Sequence, residues 1–393
     1  MPLAGIKVIG CEHFIAGPMC TMILGDMGAD VIKVEPPQKG DASRSLGPPF
    51  LGKEAAYYLS FNRSKRSLSL DTRTPEGIDI LKSLIKESDV LVENYRVGVM
   101  ERIGLSYQDV SLLNPRIIYC SISGYGHDSL LKDKPGFDAM IQAVSGLMDI
   151  TGFPDGLPTR TGVAISDNTA ALYAVQGILL ALISRQKTGL GQYIDIALLD
   201  SLVSFLTYQA GSYFADGKSP PRVGNRHPMI TPYEMFTAKD GYFIIAAGTQ
   251  KLWESLCHHV LKRPDLIKNS RFLTMANRNT NQPELKSIIE ETTQQKTINE
   301  WLKLLEGAGI PCGPIRKLEE VLEDENLRER GMVVKRGHPV AGEIRLLGNP
   351  VKLSEIQPKI SPPPLLGQHT GEILKEYGYT EGKIEELRDN GII

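Results

Sequence analysis

Short apolar runs alternate with amphipathic ones over the first half of the chain. "IKVIGC" (6–11), "DVIKVE" (30–35), "VLVENY" (90–95), "RIIYCSISGYG" (116–126) and "GQYIDIAL" (191–198) have the length and β-branched content of buried strands. Between them lie helical spacings, in "PMCTMILGDMGA" (18–29), in "TPEGIDILKSLIKESD" (74–89) and in the apolar stretch that runs on from residue 167. The helix at Thr74 carries clear start signals, with Thr74 as N-cap, Pro75 in the first helical position and Glu76 in the first turn. This alternation predicts β-α-β units and an α/β fold: a doubly wound parallel, Rossmann-like sheet of about six strands over residues 1–200.

The pattern then changes. "ADGKSPPRVGNRHPMITP" (215–232) is rich in Pro, Gly and charge and has no periodicity, the mark of a connection, so a linker is placed at 201–225. A smaller α+β domain is expected over 226–325. It is built on a hairpin in "YEMFTAKDGYFIIAAG", turning at Lys239-Asp240-Gly241, with helices in "QKLWESLCHHVL" and "INEWLKLLEGAG". Residues 326–393 offer a strand pair near 332–347 and a helix after "PPPLLGQHTGEILKEYG", expected to return to the large domain.

Composition adds mainly exclusions. Of 393 residues 41% are hydrophobic and 23% charged, and the net charge of −2 gives no global field for nucleic acid or an anionic membrane, so neither is an expected partner. Any anionic ligand must then be held by a local basic cluster. No run approaches the ~18 apolar residues of a membrane span, and "MPLAGIKVIG" has no charged segment followed by an apolar one. The five cysteines are odd in number and widely spaced with no CxxC pair, so a disulfide framework and a zinc site are not indicated. A reducing, cytoplasmic setting is the expectation, with no metal.

The common nucleotide and hydrolase motifs are missing: no GxxxxGK[ST], no HExxH, no GxSxG, and no GxGxxG after the first strand. Two basic clusters stand out instead. "FNRSKRSLSLDTR" holds Arg63, Lys65, Arg66 and Arg73, and "VENYRVGVMERIG" holds Asn94, Arg96 and Arg102 just after a strand. Ligands of doubly wound sheets bind beyond the carboxyl ends of the strands, and arginine forks suit phosphate oxygens. A solvated charged surface is the other reading. Asp167, in "AISDNTAAL", has two readings as well. It is an N-cap in a run where Ser166 and Asn168 could cap equally, or a carboxylate kept ionised by a helix N-terminus and able to act as a nucleophile toward an activated acyl group.

In "PLAGIKVIG", "AGPMCTMILGDMGADVIKVEPP", "GDASRSLGPPF", "NRSKRSLSLD", "VENYRVGVMERIGLSY", "NPRIIYCSISGYG", "DGLPTRTGVAISD" and "PPPLLGQHTGEIL", taken in this order, the chain resembles the family III CoA-transferases along its whole length. The resemblance implies an acyl-CoA:carboxylate CoA-transferase with Asp167 as nucleophile, working through aspartyl anhydrides and an aspartyl-CoA thioester, with CoA as carrier and no other cofactor. It implies an interlocked homodimer of ring-like subunits. It places CoA on Ile15 and Ala16, on Leu70, Asp71, Thr72 and Arg73, on Asn94, Tyr95 and Arg96, on Arg102, and on Lys134 to Phe137. Backbone amides at 16–18 or near 246–248 could receive developing oxyanions. Blocks similar to members that use succinyl-CoA and small dicarboxylic acids make Arg44, Arg226 and His227 candidates for a second substrate carboxylate, with Asp138 as a further polar group or an N-cap. Pro36 and "GNRHPMITPY" depart from the formyl-CoA transferase pattern. The α-methylacyl-CoA racemases resemble it too, but their "GHD" triplet is here Gly136-Phe137-Asp138, and His127 is read as an exposed loop histidine. A non-catalytic acyl-CoA-binding protein is the remaining reading.

Overall fold

The computed structural model describes residues 1–393 and divides them into two compact units. The first comprises Met1–Leu147, Arg160–Gly211 and Glu325–Ile393. Its sheet has six parallel strands: β1 (Lys7–Cys11), β2 (Asp30–Glu35), β3 (Arg66–Ser69), β4 (Val90–Glu93), β5 (Ile118–Ser123) and β6 (Gln192–Ala197), in the order β3-β2-β1-β4-β5-β6. The order reverses between β1 and β4, the switch point at which doubly wound sheets open a crevice.

Parallel strands buried on both faces read as continuous apolar runs, and each face has its own core. Val8, Val31, Val90, Val92, Ile118 and Cys120 pack under helix α1 (Ala16–Asp26) and under a long helix, Ile165–Thr188, through its small side chains Ala170, Ala171, Ala174 and Ala181. On the other face, Ile9, Ile32, Leu68, Leu91 and Tyr119 meet α2 (Pro75–Lys86) and two C-terminal helices, Thr370–Glu376 and Glu381–Asp389. Thr74 caps α2, with its hydroxyl accepting the Gly77 N–H at 3.1 Å.

The long helix corrects one expectation. Its 24 residues are long and apolar enough, by length and composition, to cross a membrane, because its small core-facing residues are matched by apolar ones on the outer side. Leu172, Leu180 and Ile183 on that side are each more than half exposed.

The second unit, Met148–Thr159 with Ser212–Asp324, carries a three-stranded antiparallel sheet. The hairpin forms as Tyr233–Ala238 and Gly241–Ala246, closed around Lys239-Asp240, and Cys312–Pro314 adds the third strand. Phe236, Phe243, Trp253, Phe272 and Trp301 fill its core. The helix in "QKLWESLCHHVL" runs regularly over Gln250–Ser255 and widens into a π turn at Leu256–Leu261.

Gly191 shows how tightly the main sheet is closed. A Cβ there would stand 1.8 Å from the Ile117 carbonyl oxygen, so the entry to β6 admits no side chain. Gly191→Ala is expected to cost about 1–3 kcal/mol through forced separation of β5 and β6, measured as a lowered denaturation midpoint.

Candidate active site

The β1–β4 crevice is bounded by two helix starts. α1 begins at Ala16, and the long helix, α4 with α3 as Asp138–Val144, begins at Ile165. Asp167 is therefore the third residue of α4 and does not cap it. Asp138 takes that part. Its Oδ1 accepts the Ser166 N–H at 3.1 Å and the Ser166 hydroxyl at 2.9 Å, while Oδ2 accepts Gln142 Nε2 at 2.8 Å. Asp138 is itself the first residue of α3, brought in by a backbone contact at Gly124 and Gly136. A Cβ on Gly124 would lie 2.7 Å from the Gly136 Cα.

With Ser166 served by Asp138, the Asp167 carboxyl comes under the influence of the Ala16 amide at the head of α1, which favours its charged form. Burial raises the Asp167 carboxyl from its ordinary range to about 7, the negative charge of Asp138 adds to this, and the Ala16 amide opposes it. This corrects the expectation of a fully ionised carboxylate. Favourable placement at a helix terminus is outweighed by desolvation and a like charge, so near neutral pH the group is divided between its two forms. A carboxylate of raised basicity, shielded from water, is a stronger nucleophile than a free one.

Around this pair the structure assembles several of the expected residues. An aromatic chain runs from Phe137 to Phe14 (ring centroids 6.5 Å apart), to His13 (5.0 Å) and to Tyr95 (5.5 Å), which joins the loops holding Ile15, Ala16, Asn94 and Phe137. Arg96, Arg102 and Lys134 are exposed and make no ion pair. At the end of β3, Leu70 is buried and donates its N–H to Glu35 O at 2.8 Å. Beside it and the half-buried Thr72, Arg73 folds back on Asp71 with two bonds of 2.8 and 2.7 Å.

Two site residues were missed. Tyr57 has its phenol raised to about 12 by burial and by the charges of Asp167, Asp41 and Asp138, so its O–H stays protonated within the field of those acids. His13, lowered by burial, lines the same loop. Neither carries a local signal: Tyr57 stands in a six-residue helix, Ala56–Phe61, and meets Asp167 only through the fold.

Other expectations change. Asn94 does not present a free amide to a ligand, since its Oδ1 accepts the His13 N–H and its Nδ2 donates to the His13 carbonyl, both at 2.9 Å. Arg44 is committed internally, with Nε and Nη2 on Glu35 at 2.7 and 2.8 Å, Nη2 also on the Tyr58 hydroxyl at 2.6 Å, and the guanidinium over the Tyr58 ring. It has no fork left for a substrate carboxylate. Three of the first basic cluster are likewise structural: Arg63 pairs with Asp26, Lys65 with Glu12, and Arg66 with Asp30, Glu372 and Glu376. Arg226 and His227 lie in the second unit, where His227 stacks on Tyr233 at 5.5 Å and donates its N–H to Tyr233 O at 2.8 Å. His127 is half-buried, not an exposed loop residue. Its Nε2 is 2.7 Å from Ser121 Oγ, and it lines a cavity of about 170 Å³ with Glu101, Tyr107, Gln108, Tyr119 and Tyr193, a group that does not include Asp167.

A crevice at the switch point of a parallel sheet, with a shielded acid on one helix start and amides on another, is the arrangement of a ligand-binding α/β enzyme and is compatible with acyl-group chemistry. The chain matches the model of CoA-transferase family III over residues 3–370 and belongs to that family; it is a CoA-transferase. It is 42% identical to human succinyl-CoA:glutarate CoA-transferase over 394 residues, covering 100% of this chain and 90% of the relative. The succinate–glutarate CoA-transferase of Agrobacterium fabrum is 38% identical, with 95% of each chain covered. A crystal structure of a CAIB/BAIF family protein from Brucella suis superposes with a TM-score of 0.87 at 40% identity, covering 96% of this chain and 99% of that one.

The raised pKa of Asp167 has a consequence for stability that is independent of catalysis. Below about pH 4 Asp167 is protonated in both states. As pH rises towards 7 the unfolded chain releases the proton that the folded one keeps, so this group makes the fold progressively less stable. Asp167→Asn removes the effect. After allowance for partial exposure it is expected to stabilise by about 1 kcal/mol at pH 8 and less at pH 5, seen as a Tm difference from the parent that grows with pH.

Proposed function

We propose that this protein moves CoA between succinyl-CoA and glutarate, or a dicarboxylate of similar length, through Asp167. The observation that carries the reading is the shielded Asp167 carboxyl, raised to about 7 and aimed at the amide end of α1 at the mouth of the crevice. The printed activities of the human and Agrobacterium relatives supply the acids.

In the ionised form, an Asp167 oxygen attacks the donor thioester carbonyl. The C–S bond breaks, leaving an aspartyl-acyl anhydride and CoA thiolate. The thiolate attacks the Asp167 carbonyl, the donor acid departs as carboxylate, and an aspartyl-CoA thioester is left. The acceptor carboxylate displaces the thiolate to form a second anhydride, and the thiolate then takes the acceptor's acyl group and frees Asp167. Every step exchanges one acyl bond for another, so the thioester's energy is retained only where water is kept out. Tyr57 supports the tetrahedral stages as an O–H donor close to the reacting carboxyl, and the α1 N-terminus supplies oriented amides.

For CoA itself the reading uses Ile15, Ala16 and Tyr95 along the crevice, with Arg96, Arg102 and Lys134 as free cations for phosphates and Leu70 to Arg73 and Phe137 at its sides. The exposed Leu172, Leu180 and Ile183 of α4, with Val203 and Phe205 also exposed, support a homodimer.

Incubation with succinyl-CoA and hydroxylamine is expected to convert Asp167 to its hydroxamate, and Asp167→Asn to lower succinyl-CoA:glutarate exchange by roughly 10³-fold or more. Exchange at the parent rate by that variant would overturn the assignment. A screen in which only monocarboxylates accept CoA would overturn the choice of acids.

A further inference from the structure

We propose that Asn94 is a positioning residue for the Asp167 carboxylate: its side-chain amide clamps the His13 peptide across the switch-point crevice and so holds the Ala16 N–H against Asp167. This rests on the reading of Asp167 as nucleophile. It gives Asn94 a task other than contact with CoA.

The register explains the place. Cys11 at the end of β1 lies beside Glu93 at the end of β4, and one residue further on the two strands part. There Asn94 Oδ1 accepts the His13 N–H and Nδ2 donates to the His13 carbonyl, both at 2.9 Å. The side-chain amide thus behaves as one more peptide in a ladder, and joins the strands where the main chain no longer does. Two residues, Phe14 and Ile15, separate His13 from the N–H that matters.

The segment between has reason to move if released. Phe14 has φ of 62°, a left-handed conformation that a bulky residue keeps only when its surroundings over-determine it. Upstream, the Glu12 carbonyl accepts Lys33 Nζ at 2.9 Å, and the Glu12 carboxylate accepts Lys65 Nζ at 2.7 Å and the Thr21 hydroxyl at 2.8 Å. At Phe14, the N–H reaches Asp41 Oδ1 at a long 3.4 Å. Asn94 supplies the two short bonds nearest the bend. α1 also rests on it: a Cβ on Gly17 would lie 3.2 Å from Asn94 Cγ and 2.8 Å from Glu12 Cβ. Shifting Asn94 therefore shifts the first turn of α1, and Ala16 with it.

The groups facing Asp167 make the effect readable. From α3 comes the charge of Asp138, from the helix Ala56–Phe61 the phenol of Tyr57, and from α1 the Ala16 N–H, the one influence that favours the charged carboxylate. Around the clamp itself stand His13, Tyr95, Glu12, Asp41 and Lys33. Withdrawal of the Ala16 N–H raises the pKa of Asp167 further and leaves less reactive carboxylate at neutral pH.

The test is the pH profile of succinyl-CoA:glutarate exchange by Asn94→Ala. The acid limb is expected to move up by about one pH unit, which is tenfold in rate on that limb, with the deficit shrinking above pH 8.5 and the KM for succinyl-CoA within about twofold of the parent. Asn94→Ser keeps one donor and one acceptor on a shorter arm; it should show a smaller shift and gives the same comparison if the alanine variant does not fold. An unshifted limb in a folded variant, or a KM raised tenfold on an unchanged profile, would overturn the proposal, the latter making Asn94 a CoA ligand. Asp167→Asn separates the two readings: if it still transfers CoA, the nucleophile assignment fails, whereas if it is inactive and the Asn94 limb is unshifted, only the clamp fails.

Discussion

The meeting of one backbone amide with one carboxyl group organises this protein. The Ala16 N–H belongs to the helix after the first strand, Asp167 to a helix that enters the sheet from the far side of a long excursion, and their contact is possible only because α1 and α4 share one face of the sheet. Desolvation and Asp138 pull the carboxyl towards neutrality, and the amide pulls it back. An acid left to the first two influences would be a poor source of nucleophile, and one left to the third would be weakly basic. The balance near 7 leaves it divided between its charged and neutral forms at neutral pH.

Behind that contact lies a set of buried charges that a surface view would miss. Lys33, Lys65 and Glu12 are inaccessible, as is the Asp41 carboxylate that meets Lys33 at 2.9 Å. Burial alone would lower Lys33, but the Asp41 and Glu12 charges outweigh it and raise it, while Lys65, with less compensation, is lowered to about 8. Such a set adds little net stability compared with an apolar core, yet removing one partner typically costs about 3–5 kcal/mol. Through Glu12 that set fixes the chain up to residue 12, and the Asn94 amide holds His13 just beyond it.

The same contrast sorts the arginines. Arg44 and Arg63 have their forks filled by carboxylates inside the fold, while Arg96 and Arg102 stand in solvent beside the crevice with none. Residues of one type thus divide between those that hold the protein together and those left to solvent. What separates them is whether a carboxylate from another strand or helix arrives within reach, and for Arg44 and Arg63 those carboxylates are Glu35 and Asp26.

Periodicity and punctuation alone determined much of this protein. The strand runs, the Thr74-Pro75-Glu76 helix start, the hairpin at Lys239-Asp240-Gly241 and Asp167 as an acid in a first helical turn all follow from neighbours within a few residues, where side-chain alternation and turn geometry act. The family could be recognised from the order of short blocks. Only the tertiary structure decided which acid does what. Asp138 serves Ser166, Asp167 is left for Ala16, Tyr57 joins them, and Asn94 turns from the solvent to His13. Each of these depends on groups far apart in the chain, and on the loss of water between them, which no local pattern of residues encodes.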